Sequence, residues 1–298
     1  MRKKLIRTLR ECTMHFTATQ CEPKMYKEQL HFSCRSTTFS WRAIACGVLA
    51  LIFSANSNAS GAKNISYKMI AAHPHDVRAF TQGLSFLDGQ LLESTGRNGQ
   101  SALLLKDITS GRVLRRTALH PHFFGEGLAV LPDRILQLTW TSGLALHYDL
   151  QFKRVGEFSY DGQGWGLTFD GKKLLMSDGS DRITLRRPDT FAAVGDIKVR
   201  DGTAAVPMLN ELEFANGWLY ANVWRSDRIA VINPNSGAVH GWLDLAALRA
   251  RFEIPPDWDE REHVLNGVAY NPANGHFYVT GKCWPVLFEL KIDALPAP

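Results

Sequence analysis

One carboxylate in the sequence stands between two glycines, in the stretch Phe124-Gly125-Glu126-Gly127-Leu128 just before a short apolar run. The same local pattern returns four times, with a different polar or aromatic residue in place of the carboxylate: Gln82, Trp165, Asn210 and Asn266. A carboxyl group can carry a proton during catalysis, and amides can donate hydrogen bonds to developing negative charge. Glu126 is therefore the candidate acid/base residue of a site to which five equivalent segments contribute.

A second set of polar and aromatic residues follows later in each repeat. It comprises Glu93-Ser94-Thr95-Gly96, Thr139-Trp140, Ser177-Asp178-Gly179, Asn222-Val223-Trp224 and Thr280-Gly281-Lys282-Cys283-Trp284-Pro285. In an antiparallel pair the end of the second strand lies beside the start of the first. Both sets are therefore predicted to meet at one face, where they would combine carboxylates, amides, one lysine and several tryptophans.

The elements that must position these residues are short strands. Gln82, Glu126, Trp165, Asn210 and Asn266 are separated by 44, 39, 45 and 56 residues, and apolar runs alternate with Gly, Asp and Asn turns between them. Repeats of this length with four strands each are typical of a β-propeller. We predict an all-β, five-bladed β-propeller with four-stranded blades; a β-sandwich is the alternative, but it does not explain the recurring register.

The two ends of this region predict how the ring closes. The fifth repeat ends near Ile292 at its third strand, and residues 65–70 form a spare strand before the first repeat. We expect that N-terminal strand to complete the last blade. The long spacing before Asn266 contains residues 243–251, which predict a short helical insertion between blades four and five, followed by a loop over residues 253–262.

Residues 1–60 are predicted to be a leader outside the fold, and residues 61–298 a single catalytic propeller domain. Arg35 and Arg42 precede an apolar core at residues 43–55, and small polar residues follow, as in a cleavable secretory signal. The alternative is an uncleaved membrane anchor formed by residues 43–55, although a membrane-spanning helix needs about 20 residues. A secreted or periplasmic protein is expected, with no stable membrane association after cleavage.

The charge distribution argues against nucleic-acid binding. Residues 1–60 hold nine of the 34 Lys and Arg and three of the 29 Asp and Glu, so the rest of the chain has a net charge of −1. Cys283 is the only cysteine of the predicted domain, so no internal disulfide or zinc cluster is indicated. His73-Pro74-His75 and His120-Pro121-His122 invite a metal interpretation, but no carboxylate spacing supports it, and no metal ligand is assigned.

The motifs of both sets, in order and in register from about residue 66 to residue 292, resemble those of the plant-type glutaminyl-peptide cyclotransferases, which also occur in bacteria. The residues that carry the resemblance include Phe80-Thr81-Gln82-Gly83-Leu84, Leu209-Asn210-Glu211-Leu212-Glu213 and Thr280-Gly281-Lys282 with Trp284-Pro285. The resemblance implies a five-bladed propeller that converts N-terminal glutamine of peptides or proteins to pyroglutamate and releases ammonia. It implies no required cofactor, with a possible structural divalent cation in the central channel.

The implied reaction assigns roles to residues. The resemblance makes Glu126 the group that takes the proton from the α-amine and returns it to the leaving amide. Lys282, Asn210 and Gln82 are candidate donors to the developing oxyanion. The predicted substrate-binding residues are Trp140, Trp165, Trp224, Trp284, Glu93 and Asn266.

Structural roles remain open for several of these residues. Gln82 and Asn210 could satisfy backbone groups at the blade starts, the tryptophans could be blade packing, and Glu93, Glu211 and Asp178 could be structural. Two other functions also remain open: a metal-dependent propeller hydrolase of the lactonase type, and a non-catalytic propeller that binds peptides. A monomer is expected.

Overall fold

The computed structural model describes residues 61–298, so the predicted leader, including its apolar core, lies outside the described residues. The chain starts with β1 (Lys63–Asn64) and β2 (Tyr67–Pro74). Blade one then contains β3 (Thr81–Leu87), β4 (Gln90–Thr95), β5 (Ala102–Lys106) and β6 (Val113–Ala118). Blade two contains β7 (Gly125–Val130), β8 (Ile135–Thr139), β9 (Leu144–Tyr148) and β10 (Arg154–Ser159).

The later blades repeat this order. Blade three contains β11 (Leu167–Phe169), β12 (Leu174–Ser177), β13 (Arg182–Arg186) and β14 (Ala193–Lys198), and a small hairpin follows, β15 (Arg200–Asp201) with β16 (Ala204–Ala205). Blade four contains β17 (Leu209–Ala215), β18 (Trp218–Val223), β19 (Arg228–Ile232) and β20 (Val239–Asp244). Helix α1 (Ala246–Arg249) precedes β21 (Leu265–Asn271), β22 (His276–Gly281) and β23 (Val286–Ile292) of blade five.

The predicted five-bladed propeller is confirmed by the packing of the first strands. β3, β7, β11, β17 and β21 form a ring in which each first strand contacts the next, and β21 contacts β3. Each interface between neighbouring blades holds its own cluster of buried apolar side chains, five clusters in the part of the chain that the structure describes. The core is therefore divided among the interfaces, and the channel lies where the first strands meet.

The N-terminal strand completes the last blade as predicted. β2 pairs antiparallel with β23, which gives the sheet order β2-β23-β22-β21. The sequence did not predict β1, which pairs in parallel with β20 and gives blade four a fifth strand. The ring is thus fastened by two neighbouring strands, one on each of the last two blades.

The predicted helical insertion exists but is shorter than residues 243–251. Leu243 belongs to β20, where it is fully buried opposite Ile229, so burial in the sheet prevails over helix propensity there. The helix is limited to Ala246–Arg249, and Leu248 is its buried residue. Residues 250–264 then lead to blade five without regular secondary structure.

Candidate active site

β-bulges aim the first set of predicted residues. The pairing of first and second strands shifts between Thr81 and Gly83, Gly125 and Leu128, Leu209 and Leu212, and Leu265 and Val268. Gln82, Glu126, Asn210 and Asn266 therefore all lie in the irregular segment that begins an inner strand. A bulge bends the strand and redirects a side chain, which turns these residues toward the centre of the ring.

Contacts between blades hold the backbone at these bulges. The Ser94 hydroxyl donates to the carbonyl oxygen of Glu126. The Ser177 hydroxyl donates to the carbonyl oxygen of Asn210 at 2.6 Å. In each case a residue at the end of one blade's second strand fixes a candidate residue of another blade, so the site's geometry depends on the closed ring.

Three residues of the second set occupy equivalent backbone positions in their blades. The backbone N–H groups of Trp140, Trp224 and Lys282 donate to carbonyl oxygens two residues before the register residue of the same blade, at 2.9, 2.8 and 2.9 Å. Gly96 occupies the equivalent position in blade one. A Cβ on Gly96 would lie 2.4 Å from the Phe124 ring, so this glycine leaves room for an aromatic side chain from the next blade.

These two sets border one cavity of about 390 Å³. It is lined by Phe80, Gln82, Arg97, Phe124, Glu126, Trp140, Trp165, Asn210, Trp224, Glu262 and Lys282. All four predicted catalytic residues and three of the four predicted tryptophans thus meet in one place. Each of the five blades contributes at least one of these residues, as the repeat register predicts.

Glu126 lies in this cavity with only 4% of its surface exposed. Burial raises the pKa of its carboxyl group well above the usual range, and the charge of Lys282 opposes that rise. The Gln82 side chain donates from Nε2 to Glu126 Oε1 at 3.0 Å. Raising the pKa of a carboxyl group makes it a stronger base, so the group can accept a proton and later release it.

Lys282 is almost completely buried in the same cavity. Burial lowers the pKa of its amine, and the Glu126 carboxyl group acts in the opposite direction. Its Nζ lies 4.9 Å from the centre of the Phe80 ring, within the range of a cation–π contact. Lys282 therefore places a positive charge, or a donor, beside the acid without a fixed carboxylate contact.

Aromatic rings form the cavity walls. The indole N–H groups of Trp140 and Trp165 both donate to Gln163 Oε1, at 2.7 and 2.9 Å. Trp165 meets Trp224 edge to face with ring centres 5.6 Å apart. Gln163 thus fixes two of the walls, and the rings limit access of water to the acid.

Two polar atoms of the lining have no hydrogen-bond partner among the described residues. They are Oδ1 of Asn210 and Nε1 of Trp224, both buried. Buried polar groups are normally paired, because an unpaired one costs about 1–3 kcal/mol. In a binding cavity such groups are available to a substrate, here as one acceptor and one donor.

Comparison with known proteins places the chain in a family. The sequence profile described as glutamine cyclotransferase matches residues 43–292. The chain belongs to the glutamine cyclotransferase family. It is 36% identical over 233 residues to a glutaminyl-peptide cyclotransferase of Arabidopsis thaliana, which covers 77% of this chain and 72% of that protein.

A solved member of the family has the same fold. The crystal structure of Myxococcus xanthus glutaminyl cyclase matches with a TM-score of 0.71 and 38% sequence identity, covering 79% of this chain and all of that chain. The propeller assignment therefore has support from both sequence and structure. Three of the predicted substrate-binding residues do not line the cavity.

Trp284 is not a cavity wall, which corrects the prediction of a substrate-binding role. Its side chain is fully buried and packs against Phe252 and Phe288. Its indole N–H donates to the carbonyl oxygen of His263 at 3.0 Å. Cys283 has φ 60°, so the chain turns between Lys282 and Trp284, and the two side chains enter different environments.

Glu93 also lies outside the cavity lining, contrary to its predicted role. It accepts hydrogen bonds from Thr81 Oγ1 at 2.7 Å and from His75 Nε2 at 3.2 Å, and it forms an ion pair with Lys106. Burial acts to raise the pKa of Glu93, but the charges of Lys106 and His75 outweigh it and hold the pKa far below its usual range. Glu93 is a structural anion inside blade one, and His75 is its partner.

Asn266 acts behind the cavity and does not line it, which corrects a direct substrate contact. Its Nδ2 donates to the Thr81 carbonyl oxygen at 2.9 Å and to Gln82 Oε1 at 3.1 Å. Because Oε1 of Gln82 accepts this bond, the amide of Gln82 must present its NH₂ group to Glu126. Asn266 therefore orients Gln82.

Some of the cavity residues had no predicted role. Phe80 and Phe124 each stand two residues before a register residue, Gln82 and Glu126, and that recurrence was a usable signal. Arg97 and Glu262 carried none, because Arg97 lies in a turn and Glu262 in the insertion before β21. Asp178, for which a structural role had remained open, is exposed. Its carboxylate accepts from the Ser180 backbone N–H at 3.0 Å, a contact within a turn.

The central channel contains two buried carboxyl groups. Glu211 stands where most blades have a glycine, and its oxygens accept from the backbone N–H groups of Leu84 at 3.1 Å and Val268 at 2.8 Å. Glu213 Oε1 accepts from the Tyr270 N–H at 2.8 Å. Burial raises the pKa of both groups, that of Glu213 to about 8.

These channel carboxyl groups do not fit the divalent cation that the resemblance allowed. Both oxygens of Glu211 already face backbone N–H donors, which a cation would have to displace. Residues 61–298 contain no group of three or more His, Cys, Asp or Glu side chains arranged to hold a metal ion.

Proposed function

We propose that the chain is a glutaminyl-peptide cyclotransferase that closes N-terminal glutamine to pyroglutamate, with Glu126 carrying the proton. The observation that supports this most is a buried acid of raised pKa, held by an amide donor, inside an aromatic cavity of a glutamine cyclotransferase family member. The cavity has room for one side chain and its amine. The cavity offers a substrate both a hydrogen-bond acceptor and hydrogen-bond donors.

The proton balance of the reaction suits a single carboxyl group. The neutral α-amine attacks the γ-amide carbon of the same residue, so a bond forms from that carbon to the α-nitrogen. The α-nitrogen loses one proton to Glu126, and the amide nitrogen gains one as its bond to carbon breaks. Ammonia leaves, and Glu126 returns to its starting state. General acid–base catalysis by such a group contributes about 10²–10⁴-fold to the rate.

Donors in the cavity stabilise the oxyanion that develops on the amide oxygen. Lys282, Gln82 and Asn210 are the proposed donors, and the indole N–H of Trp224 is a further group with no partner of its own. Because the reaction is intramolecular, the enzyme mainly holds a folded conformer of glutamine. Trp140, Trp165 and Trp224 supply the walls that hold it.

The proposed substrates are peptides or proteins with N-terminal glutamine, which the enzyme would meet outside the cytoplasm. We also propose that the enzyme is a monomer and that it binds no nucleic acid. Export would use the signal with its apolar core at residues 43–55; the alternative is an anchor formed by that same segment. Within residues 61–298, no helix is long and apolar enough to cross a membrane. N-terminal sequencing of the exported protein distinguishes a cleaved signal from a retained anchor.

The test of function is direct. The purified protein is incubated with a Gln-first peptide, and mass spectrometry follows the loss of one ammonia; the same peptide with an acetylated amine is the control, because it has no nucleophile. We expect turnover of the free peptide alone, and no loss of turnover on treatment with a chelator, since we propose that no cofactor is required. Absence of turnover, or metal-dependent hydrolysis of a lactone instead, would contradict the proposal.

A further inference from the structure

A second cavity of about 360 Å³ adjoins the active-site cavity, and Arg97 lines both. Its other walls include Val77, Pro255, Pro256 and His263. The guanidinium of Arg97 contacts His263 Nε2 at 3.4 Å, and Arg97 is the residue that the linings of the two cavities share.

Unlike the nearby Arg78 and Arg225, Arg97 has no acidic partner among the described residues. Arg78 donates from Nη2 to Asp76 Oδ2 at 3.0 Å, and Arg225 lies 3.7 Å from Glu262. Among residues 61–298, no carboxylate forms an ion pair with Arg97. Its positive charge is therefore available to a ligand.

The backbone and the ring beneath it hold Arg97 in place. Its carbonyl oxygen accepts from the N–H groups of Gln100 at 3.0 Å and Ser101 at 2.9 Å, and from the Ser101 hydroxyl at 2.8 Å. Its φ of 77° is in the left-handed region, which is strained for arginine. The guanidinium carbon lies 4.5 Å above the centre of the Phe80 ring. A half-buried guanidinium fixed in this way is suited to bidentate carboxylate recognition.

We propose that Arg97 is a specificity-determining residue, which recognises a carboxylate on the residue that follows the N-terminal glutamine; this rests on the proposed function. The second cavity would receive that residue. Asp257 adds one acidic group to this cavity, but it is exposed, so solvent weakens its effect relative to the half-buried guanidinium.

The experiment compares kcat/KM for the amidated tripeptides Gln-Asp-Ala and Gln-Asn-Ala, which differ in one charge at nearly equal shape. Glutamine amide serves as a substrate that does not reach the second cavity. The variants are Arg97→Gln and, as the matched control, Arg225→Gln. Arg225 also has a positive φ, 62°, and its guanidinium carbon lies 4.1 Å from the centre of the Trp224 ring, but it already has an acidic partner.

We expect wild type to favour the Asp peptide about tenfold, because a charge-assisted hydrogen bond is roughly twice as strong as a neutral one. Arg97→Gln should bring that ratio near one, whereas Arg225→Gln should retain it, and turnover of glutamine amide provides the reference rate for each variant. A wild-type ratio of one or less, or a ratio unchanged in Arg97→Gln, would overturn the proposal. Failure of wild type to cyclise glutamine amide would instead overturn the proposed function.

Discussion

At the level of single residues, the proposed mechanism depends on the opposed effects of burial and charge on one carboxyl group. Burial makes the ionised form of Glu126 unfavourable, whereas Lys282 and the Gln82 amide favour it. A carboxyl group between these influences can exchange its proton during the reaction. Changes to the neighbouring side chains should therefore alter how the rate depends on pH.

Replacement of Lys282 by methionine removes the cation that lowers the Glu126 pKa. Because a cation stabilises the carboxylate, its loss raises that pKa further, and the acid limb of the pH–rate profile should move to higher pH. We also expect kcat to fall by about tenfold or more, since a donor is lost. The profiles of wild type, Lys282→Met and the exposed-site control Lys172→Met provide the comparison. An acid limb that stays in place or moves to lower pH in Lys282→Met would contradict this electrostatic assignment.

Replacement of Asn266 by aspartate tests whether it orients Gln82. Aspartate cannot donate to Gln82 Oε1, so the amide can turn and present oxygen to Glu126. We expect kcat to fall about tenfold with little change in KM, because Asn266 does not line the cavity, and the acid limb should again move to higher pH. The exposed change Asn235→Asp should do neither. A large KM effect with an unshifted pH profile would favour direct substrate binding instead.

At the scale of elements, glycines let the inner strands approach closely enough for one blade to fix the next. A Cβ on Gly166 would lie 2.0 Å from the Asn210 carbonyl oxygen and 2.9 Å from Leu212 Cγ. The Asn210 oxygen belongs to the backbone and the Leu212 side chain is buried, so neither can move easily. Interblade contacts and the positions of the cavity residues are therefore coupled.

Alanine at Gly166 should separate β11 from β17. We expect a loss of about 1–3 kcal/mol in the free energy of unfolding, as for other overpacked sites, together with lower kcat because Asn210 is displaced. Gly156→Ala is the matched control, because the nearest atom to its new Cβ is His147 Nδ1 at 3.8 Å. Denaturant titration of both variants measures the difference. Equal stability of the two would show that the inner strands adjust without cost.

The elements also show what the sequence could and could not predict. The repeat register located the blades, the closing strand and the cavity residues Glu126, Gln82 and Asn210, because turns and apolar runs recur at similar positions. It could not predict the two-residue strands, whose pairing depends on neighbours distant in sequence. It misplaced Trp284 because the turn at Cys283 reverses which side chain faces the cavity, and it missed Arg97 because no other blade repeats it.

At the scale of the whole molecule, the ring closes around buried carboxyl groups in its channel. Glu211 connects blade four to blades one and five through backbone N–H groups, and Glu213 connects blade four to blade five. Their burial makes ionisation costly inside the fold. The stability of the closed ring should therefore depend on pH.

Glu213 has a pKa raised from 4.5 to about 8 in the fold. Between these values the folded state holds a proton that the unfolded state has released, so the contribution of Glu213 to stability is present at low pH and is lost as pH rises toward 8. The unfolding free energy of wild type minus that of Glu213→Gln should fall across this window, with a slope approaching about 1.4 kcal/mol per pH unit. Denaturant titrations at pH 5, 6.5 and 8, with exposed Glu157→Gln as control, measure it. A difference that is constant or rises with pH would contradict the assignment.

The proposed mechanism requires Glu126 to carry the proton from the α-amine to the leaving amide. The most direct measurement is kcat of Glu126→Gln with a Gln-first peptide, beside Glu157→Gln as an exposed control and with thermal unfolding to verify the fold. Glutamine has nearly the same shape as glutamate but cannot accept the proton, so we predict a fall in kcat of about 10²–10⁴-fold with KM changed only a few-fold. A Glu126→Gln enzyme that retains kcat within about threefold of wild type would show that Glu126 does not carry this proton.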